Sequence, residues 1–299
     1  MLRRLVVNAD DLGLTIGVND GIFDAHEQGI LTSASLFANA PATADAVRRA
    51  RSHPALGVGV HLTLIDGDPV LPPGRVPTLV EDDERFRRTW KPFIVACLSG
   101  RVSLADVERE LTAQIERVLA AGIKPTHLDA HKHVHAYPPV FAVVAKLAVR
   151  FGISVVRVPY ERAWQPLVHN DAGRRSIVRR QALLNAAMWP WAWRNWRTAA
   201  ALGLQTPQFI GRIHTGVIDA PVIHALLPTI RAGVTELMVH PGYVDAALAR
   251  MTTRLRESRQ QELSVLCSMA TRARIAGQRI ELVRHDLTHV VRRSIRNVS

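Results

Sequence analysis

The sequence predicts an α/β protein: a single distorted (β/α) barrel, TIM-barrel-like, of about seven β/α units with a Trp/Arg-rich helical insert. Three observations carry that prediction. Short β-branched runs alternate with longer amphipathic stretches along most of the chain, a rhythm that builds parallel sheets. Polar, titratable residues recur where those runs stop, as they do on the active face of a barrel. The 299 residues, 47% of them hydrophobic, supply the core of one large domain over residues 1–299, interrupted by an insert at 161–208. An open doubly wound sheet is the second architecture that fits the rhythm.

Taken in order, the candidate strands are Leu5–Asn8, Ser33–Phe37, Gly57–Leu62, His127–Asp129, Ser154–Val158, Glu236–His240 and Ile280–Arg284. The clearest helix between them is Val102–Ala121. Ser103 reads as its N-cap, apolar residues recur at three- and four-residue spacing, and Gly122 closes it. Thr252–Gly277 reads as a second helix, also closed by glycine. Two stretches break the rhythm. Asp66–Arg88, rich in Pro, Gly and charge, reads as a loop. Glu161–Gln208 places Trp189, Trp191, Trp193 and Trp196 among Arg179, Arg180, Arg194 and Arg197, and with Trp164 holds five of the six tryptophans.

Lys and Arg number 38 against 26 Asp and Glu, a formal charge of +12. That excess suits a nucleic acid, an anionic membrane surface or a charged substrate, or is a solvated Arg-rich surface with no partner. No helix-turn-helix or RNA-binding aromatic signature accompanies it, so nucleic acid is not an expected partner. Cys97 and Cys267 stand far apart and outside any metal-type cluster, which fits a reducing compartment. MLRRLVVNADD lacks the apolar region of a secretory signal, and no uncharged apolar run reaches transmembrane length. A cytoplasmic protein is expected, with peripheral contact to the inner face of the membrane left open, as is homo-oligomerisation.

The chemistry sits at the strand ends. The first gives Asn8, Asp10 and Asp11; GVGVHLTL gives His61; THLDAHKHVHAYP gives Asp129, His131, His133 and His135; VVRVPYE gives Arg157 and Glu161; ELMVHPGYVD gives His240, Tyr243 and Asp245. Adjacent carboxylates at one strand end and histidines at others are the ingredients of a metal site with an open position. Each has a plainer reading: Asp10–Asp11 as a turn or cap, His61 as a hydrogen-bonded core histidine, His240 as a turn residue. In extended chain His131, His133 and His135 share one face. Neighbouring side chains of a regular strand oppose each other, so Asp10 and Asp11 serve one site only if the strand has ended and the chain is turning. His26, His53, His169, His214, His224, His285 and His289 have no such company and read as structural.

In this order NADDLG, GVHLTL, THLDAHKHVHAYP, VRVP and VHPGY resemble the motifs of the YdjC-like carbohydrate deacetylases, over roughly residues 5–287. With its Trp/Arg-rich insert the chain looks like the hopanoid-biosynthesis-associated (HpnK) branch. The resemblance implies a distorted β/α barrel and metal-dependent N-deacetylation of an acetylated amino sugar. It places the metal ligands on Asp11, His61 and His131, the catalytic base on Asp10, a general acid on His240 and an arginine beside the base on Arg157. The HKH spacing leaves His133 as the rival of His131, and Lys132 stands where many relatives carry a third contiguous histidine. His133, Glu161 and Tyr243 are candidates for substrate contact. One divalent ion is implied, zinc or magnesium first, with nickel or cobalt compatible. Such an ion polarises an amide carbonyl and acidifies water, Asp10 takes the water's proton and His240 protonates the departing amine. The expected substrate is lipid-linked, like an N-acetylglucosaminyl-hopanoid. A soluble chitooligosaccharide is the alternative, and the same ligands suit hydrolysis of a phosphoester or cyclic amide. The insert fits a membrane interface, sugar stacking or a packed lid.

Overall fold

The computed structural model describes residues 2–162 and 171–287. Its strands are β1 (Arg3–Leu12), β2 (Ser33–Leu36), β3 (Gly57–Leu62), β4 (Leu128–Ala130), β5 (Gln208–Ile210), β6 (Gly233–Val239) and β7 (Ile280–Leu282). All pairings among them are parallel, in the order β4-β3-β2-β1-β6-β5. One edge of β1 pairs with β6 along Arg3–Ala9. On the other edge β7 takes Arg3–Leu5 and β2 takes the end from Asn8 to Leu12. Isolated parallel bridges, Leu128 to Val156, Val155 to Gln205 and Glu161 to Phe209, span the remaining gap between β4 and β5. The sheet is therefore curled, with its strand C-termini on one face.

Leu5, Val6 and Val7 are wholly buried, as expected of a strand covered on both faces in a parallel sheet. Helix Leu104–Ala120 starts where Ser103 accepts a hydrogen bond from the Ala105 amide, and Gly122 follows it at φ +78°. The sequence reading erred in two places. Ser154–Val158 contributes isolated bridges instead of a strand, whereas Gln208–Ile210, too short to show a period, forms β5. Thr252–Gly277 is not one helix but two, Glu257–Cys267 and Met269–Gly277. Ser268 is extended between them and caps the second by accepting from the Thr271 amide, so a serine inside an apolar period stops one helix and starts the next. Asp66–Arg88 holds a short 3-10 turn at Pro73–Arg75 and one bridge between Val80 and Phe86.

The insert forms two helices, Ala172–Ala187 and Trp189–Ala201; Trp164 and His169, like His289, lie outside the described residues. The second helix packs on the barrel. Trp191 meets Tyr137, Trp196 meets Tyr160, and Asn195 donates to the Ala136 carbonyl at 2.9 Å. Trp189 and Trp193 stay half exposed, and Arg197 stacks over Trp193. Among the described residues no helix is long and apolar enough to cross a membrane.

Candidate active site

The two adjacent carboxylates do share one cavity, by a route other than the expected one. β1 does not end at Asp10; its register with β2 shifts between Ala9 and Leu12, and Asp11 takes φ +70°. The extra residue of this bulge cancels the strand alternation. Left-handed backbone is costly for most side chains and least so for Asp and Asn, which suits an aspartate at this position.

Asp11 Oδ1 lies 3.3 Å from His131 Nδ1 and 3.6 Å from His61 Nε2. Ligands bonded at about 2.0–2.2 Å around a tetrahedral ion stand about 3.3 Å apart, so these spacings, with one ligand atom from each residue within 4.8 Å of the others, are consistent with a site for a divalent cation. His61 turns its other nitrogen to Asp129 Oδ1 at 2.8 Å, the arrangement that fixes the tautomer and leaves Nε2 free to ligate. Burial opposes protonation of His61, but Asp129 outweighs it and leaves its pKa raised. Burial also pushes the Asp11 carboxyl up; Arg259, then His131, more than reverses this and holds it well below the usual range. Asp10, His61 and Asp129 form a second group within reach of one ion, yet Arg157 already covers oxygens of Asp10 and Asp129.

Arg157 is the hub beneath the trio and is 1% exposed. Its fork donates to both oxygens of Asp10 at 2.8 and 2.7 Å, to Glu236 Oε1 at 2.8 and 2.6 Å, and approaches Asp129 Oδ2 at 2.8 Å. Asn8 donates to Asp10 Oδ1 at 3.0 Å and to Ser35 Oγ at 2.8 Å, and Ser35 donates to Asp129 Oδ2 at 2.8 Å. Burial pushes the Glu236 carboxyl up to about 7 despite Arg157. A second arginine, Arg259, reaches from helix Glu257–Cys267 to Asp11 Oδ2 at 2.5 Å. The same helix supplies Glu262, whose carboxylate accepts from the His240 amide at 2.6 Å.

His240 follows β6 on the cavity floor, its Nδ1 buried and without a hydrogen-bond partner among the described residues. Burial drives its pKa down to about 4, against the pull of Asp10 and Asp11. The resting ring is neutral at pH 7, not protonated as a waiting acid would be. His131–Ala136 is a 3-10 turn with Lys132 at φ +48° and His133 at φ +57°, so the extended-chain expectation for its histidines fails. His131 and His133 face the cavity, whereas His135 Nε2 is 2.9 Å from the Arg157 carbonyl oxygen. Of the pair, His131 sits with Asp11 and His61.

The cavity is about 740 Å³. Its floor carries Asp10, Asp11, His61, His131 and His240, and one wall is helix Ala172–Ala187. Glu161 and Tyr243 do not line it. Glu161 is fully buried, accepts from the Ile213 amide at 2.9 Å and is pushed by burial up to about 7. Tyr243 donates to Asp24 Oδ2 at 2.7 Å on the outer surface. Asp245 caps helix Ala246–Arg250 through the Leu248 amide. Arg259, Ser35, Glu236 and Glu262 were not singled out from sequence. Ser35 and Glu236 at least fall within predicted strands, but Arg259 lies in a charged helix with nothing to mark it.

The YdjC-like protein family matches residues 4–277. A carbohydrate deacetylase of Brevibacillus brevis is 35% identical over 280 residues, 94% of this chain and 97% of that protein. A carbohydrate deacetylase of Geobacillus stearothermophilus is 35% identical over 289 residues, covering 95% and 97%. Among solved structures, an Enterococcus faecalis V583 protein whose name refers to cellobiose-phosphate cleavage superimposes with TM-score 0.77 at 25% identity, over 96% of this chain and 98% of that one.

Proposed function

This chain belongs to the YdjC-like protein family, and on that premise we propose that it is a carbohydrate deacetylase, a metal-dependent hydrolase that removes acetyl from an N-acetylated amino sugar. The observation that carries the reading is the Asp11–His61–His131 trio directly beside Asp10, which is clamped by Arg157 at the floor of a large cavity. Asp11 Oδ1, His61 Nε2 and His131 Nδ1 would hold the ion, zinc or magnesium first. Once bound, it would polarise the acetyl carbonyl and make water a better nucleophile.

The residues divide the remaining work. Asp10 accepts the proton of the attacking water, and the bidentate Arg157 fork with Asn8 fixes its oxygens for that transfer. Asp129 orients His61. Arg259 holds Asp11 Oδ2 and leaves Oδ1 toward the histidines. His240 is neutral before the reaction, so it protonates the leaving amine only with a proton acquired during turnover, the one that Asp10 takes from water and must pass on. Its backbone is fixed by Glu262. His133, on the cavity wall, is placed to touch the sugar.

We further infer a lipid-linked sugar. Ile177, Leu184 and Trp90 line the cavity and are each about 40% exposed, and Leu183, Trp189 and Trp193 on the two helices of the insert are exposed as well. An amphiphile would set its sugar on the floor and its apolar part along the insert. The test is acetate release from N-acetylated glycolipids and chitooligosaccharides by metal-loaded protein. Release from neither, with the metal site filled, would overturn the deacetylase; faster release from the soluble sugars would overturn only the lipid-linked substrate.

A further inference from the structure

The floor of the cavity is electrically balanced and its outer wall is not. Asp10 is paired with Arg157, and Asp11 with Arg259. Lys132, on the rim, is paired with Asp66. Arg180, Arg212 and Arg254 also line the cavity, and none of them makes an ion pair among the described residues. Every Asp and Glu of the chain lies among the described residues, so no acidic residue elsewhere is available to neutralise them.

Two of the three arginines are held by neutral contacts. Arg254 donates to the Thr215 carbonyl at 2.9 Å and to Gln181 Oε1 at 3.1 Å. Arg212 donates to Asn185 Oδ1 at 3.1 Å, one turn further along the helix that carries Arg180 and Gln181. Burial lowers the pKa of Arg254, the charge of Arg180 lowers it further, and Glu262 only partly offsets the two. The nearest acid to act on Arg212 is Glu161, whose carboxylate is turned to the Ile213 amide. A Cβ on Gly216, which sits at φ +81°, would come within 2.5 Å of Arg254 Nη1, so the backbone is shaped to admit this guanidinium. Ser176, Gln181, Thr215, Thr252 and Thr253 add neutral hydrogen-bonding groups to the same wall. Like charges gathered in a cleft without a direct ion-pair partner raise the local concentration of anions, and forked guanidiniums match phosphate oxygens.

We propose that Arg180, Arg212 and Arg254 form a phosphate-binding site at the mouth of the cavity, which holds a phosphate group while the acetylated sugar reaches the floor. The inference rests on the deacetylase reading for what the site serves, not for the site itself. The phosphate is either carried by the substrate or belongs to a neighbouring lipid headgroup, and the two are separable by experiment.

Arg180 is exposed and makes no hydrogen bond or ion pair among the described residues, so Arg180→Gln tests the site without disturbing the wall. Isothermal titration of metal-loaded protein with inorganic phosphate should give a Kd about tenfold weaker in Arg180→Gln, largely restored in Arg180→Lys. An unchanged Kd in both Arg180→Gln and a folded Arg254→Gln overturns the site. Acetate release from N-acetylglucosamine 6-phosphate and from N-acetylglucosamine then locates the phosphate. If the substrate carries it, Arg180→Gln lowers kcat/KM on the phosphorylated sugar about tenfold more than on the neutral one. If a headgroup supplies it, the two sugars suffer alike and Arg180→Gln instead loses co-sedimentation with phosphatidylglycerol vesicles, with phosphatidylcholine as control. If Arg180→Gln produces neither of these two effects, the inference is overturned. Absence of acetate from any sugar, with phosphate binding intact, counts against the deacetylase and leaves the phosphate site standing.

Discussion

Asp10→Asn separates the two aspartates that the sequence sets side by side. The substitution keeps the size of the side chain and removes its capacity to take a proton. Loss of a general base costs about a hundredfold or more in kcat, about 2.7 kcal/mol of barrier. The effect on the fold is smaller than the burial of the site would imply. Arg157 faces Asp10, Asp129 and Glu236, so removing the charge of Asp10 still leaves that of Asp129 to compensate it. The cost is that of weakened charge-assisted hydrogen bonds, about 1–3 kcal/mol. Arg157→Met is the contrasting case: it strands buried carboxylates and should cost about 3–5 kcal/mol or prevent folding. The assay is kcat for acetate release together with metal content per chain and the urea midpoint. The expected result is a near-normal metal content, a modest midpoint shift and a hundredfold slower enzyme. Loss of metal in Asp10→Asn would make Asp10 a ligand, and a kcat within threefold of wild type would remove it as the base.

His61→Ala and His131→Ala should lose metal together with activity, while His133→Ala keeps its metal; plasma emission analysis of dialysed protein decides, and the reverse pattern would exchange His131 for His133. Asp129→Asn should weaken metal binding about 10–100-fold, the usual effect of removing a carboxylate behind a ligating histidine, measured by competition with a chromophoric chelator. His135 is pushed by burial down to about 4, so below pH 6.5 the unfolded chain takes up a proton that the fold refuses, and stability falls with pH. That single group costs about 2 kcal/mol between pH 6.5 and 5. Glu161, Glu236 and Glu262, each raised to about 7, stay protonated in the fold and act in the opposite direction. The readout is therefore a difference: His135→Gln should lose less Tm than wild type over that range, and parallel curves would refute the assignment. Replacing Trp189 and Trp193 with Ser should weaken co-sedimentation with anionic vesicles while the barrel melts normally; unchanged sedimentation would leave the exposed rings without a membrane role.

The fold was legible where burial imposes a pattern. Leu5–Val7 and Val58–Val60 are fully covered apolar runs, and Ser103 with Gly122 marks the two ends of a helix whose caps are local events. β5 was invisible because three residues cannot display a period, and Ser268 was overlooked because one serine weighs little in a window of apolar spacing. At the site, the residues that carry charge at strand ends could be read one by one. Their partners could not. Arg259 reaches Asp11 across 248 positions, and nothing in its own helix distinguishes it from an exposed arginine. The bulge at Asp11 and the turn at Lys132–His133 depend on positive φ in non-glycine residues, which hydrophobic periodicity does not encode. The insert shows a division of the same kind: the tryptophans draw the eye, yet three of the four meet tyrosines of the barrel and the less conspicuous arginine helix lines the cavity.

The most direct measurement is a stoichiometric titration of metal-stripped protein with zinc or magnesium, following acetate release from an N-acetylated amino sugar as ion is added. The geometry of Asp11, His61 and His131 predicts a rate that rises from background in proportion to bound ion and saturates at one ion per chain, with no rise in Asp11→Asn at the same total metal. Full acetate release by the stripped protein, or a saturated site that releases none, would contradict it.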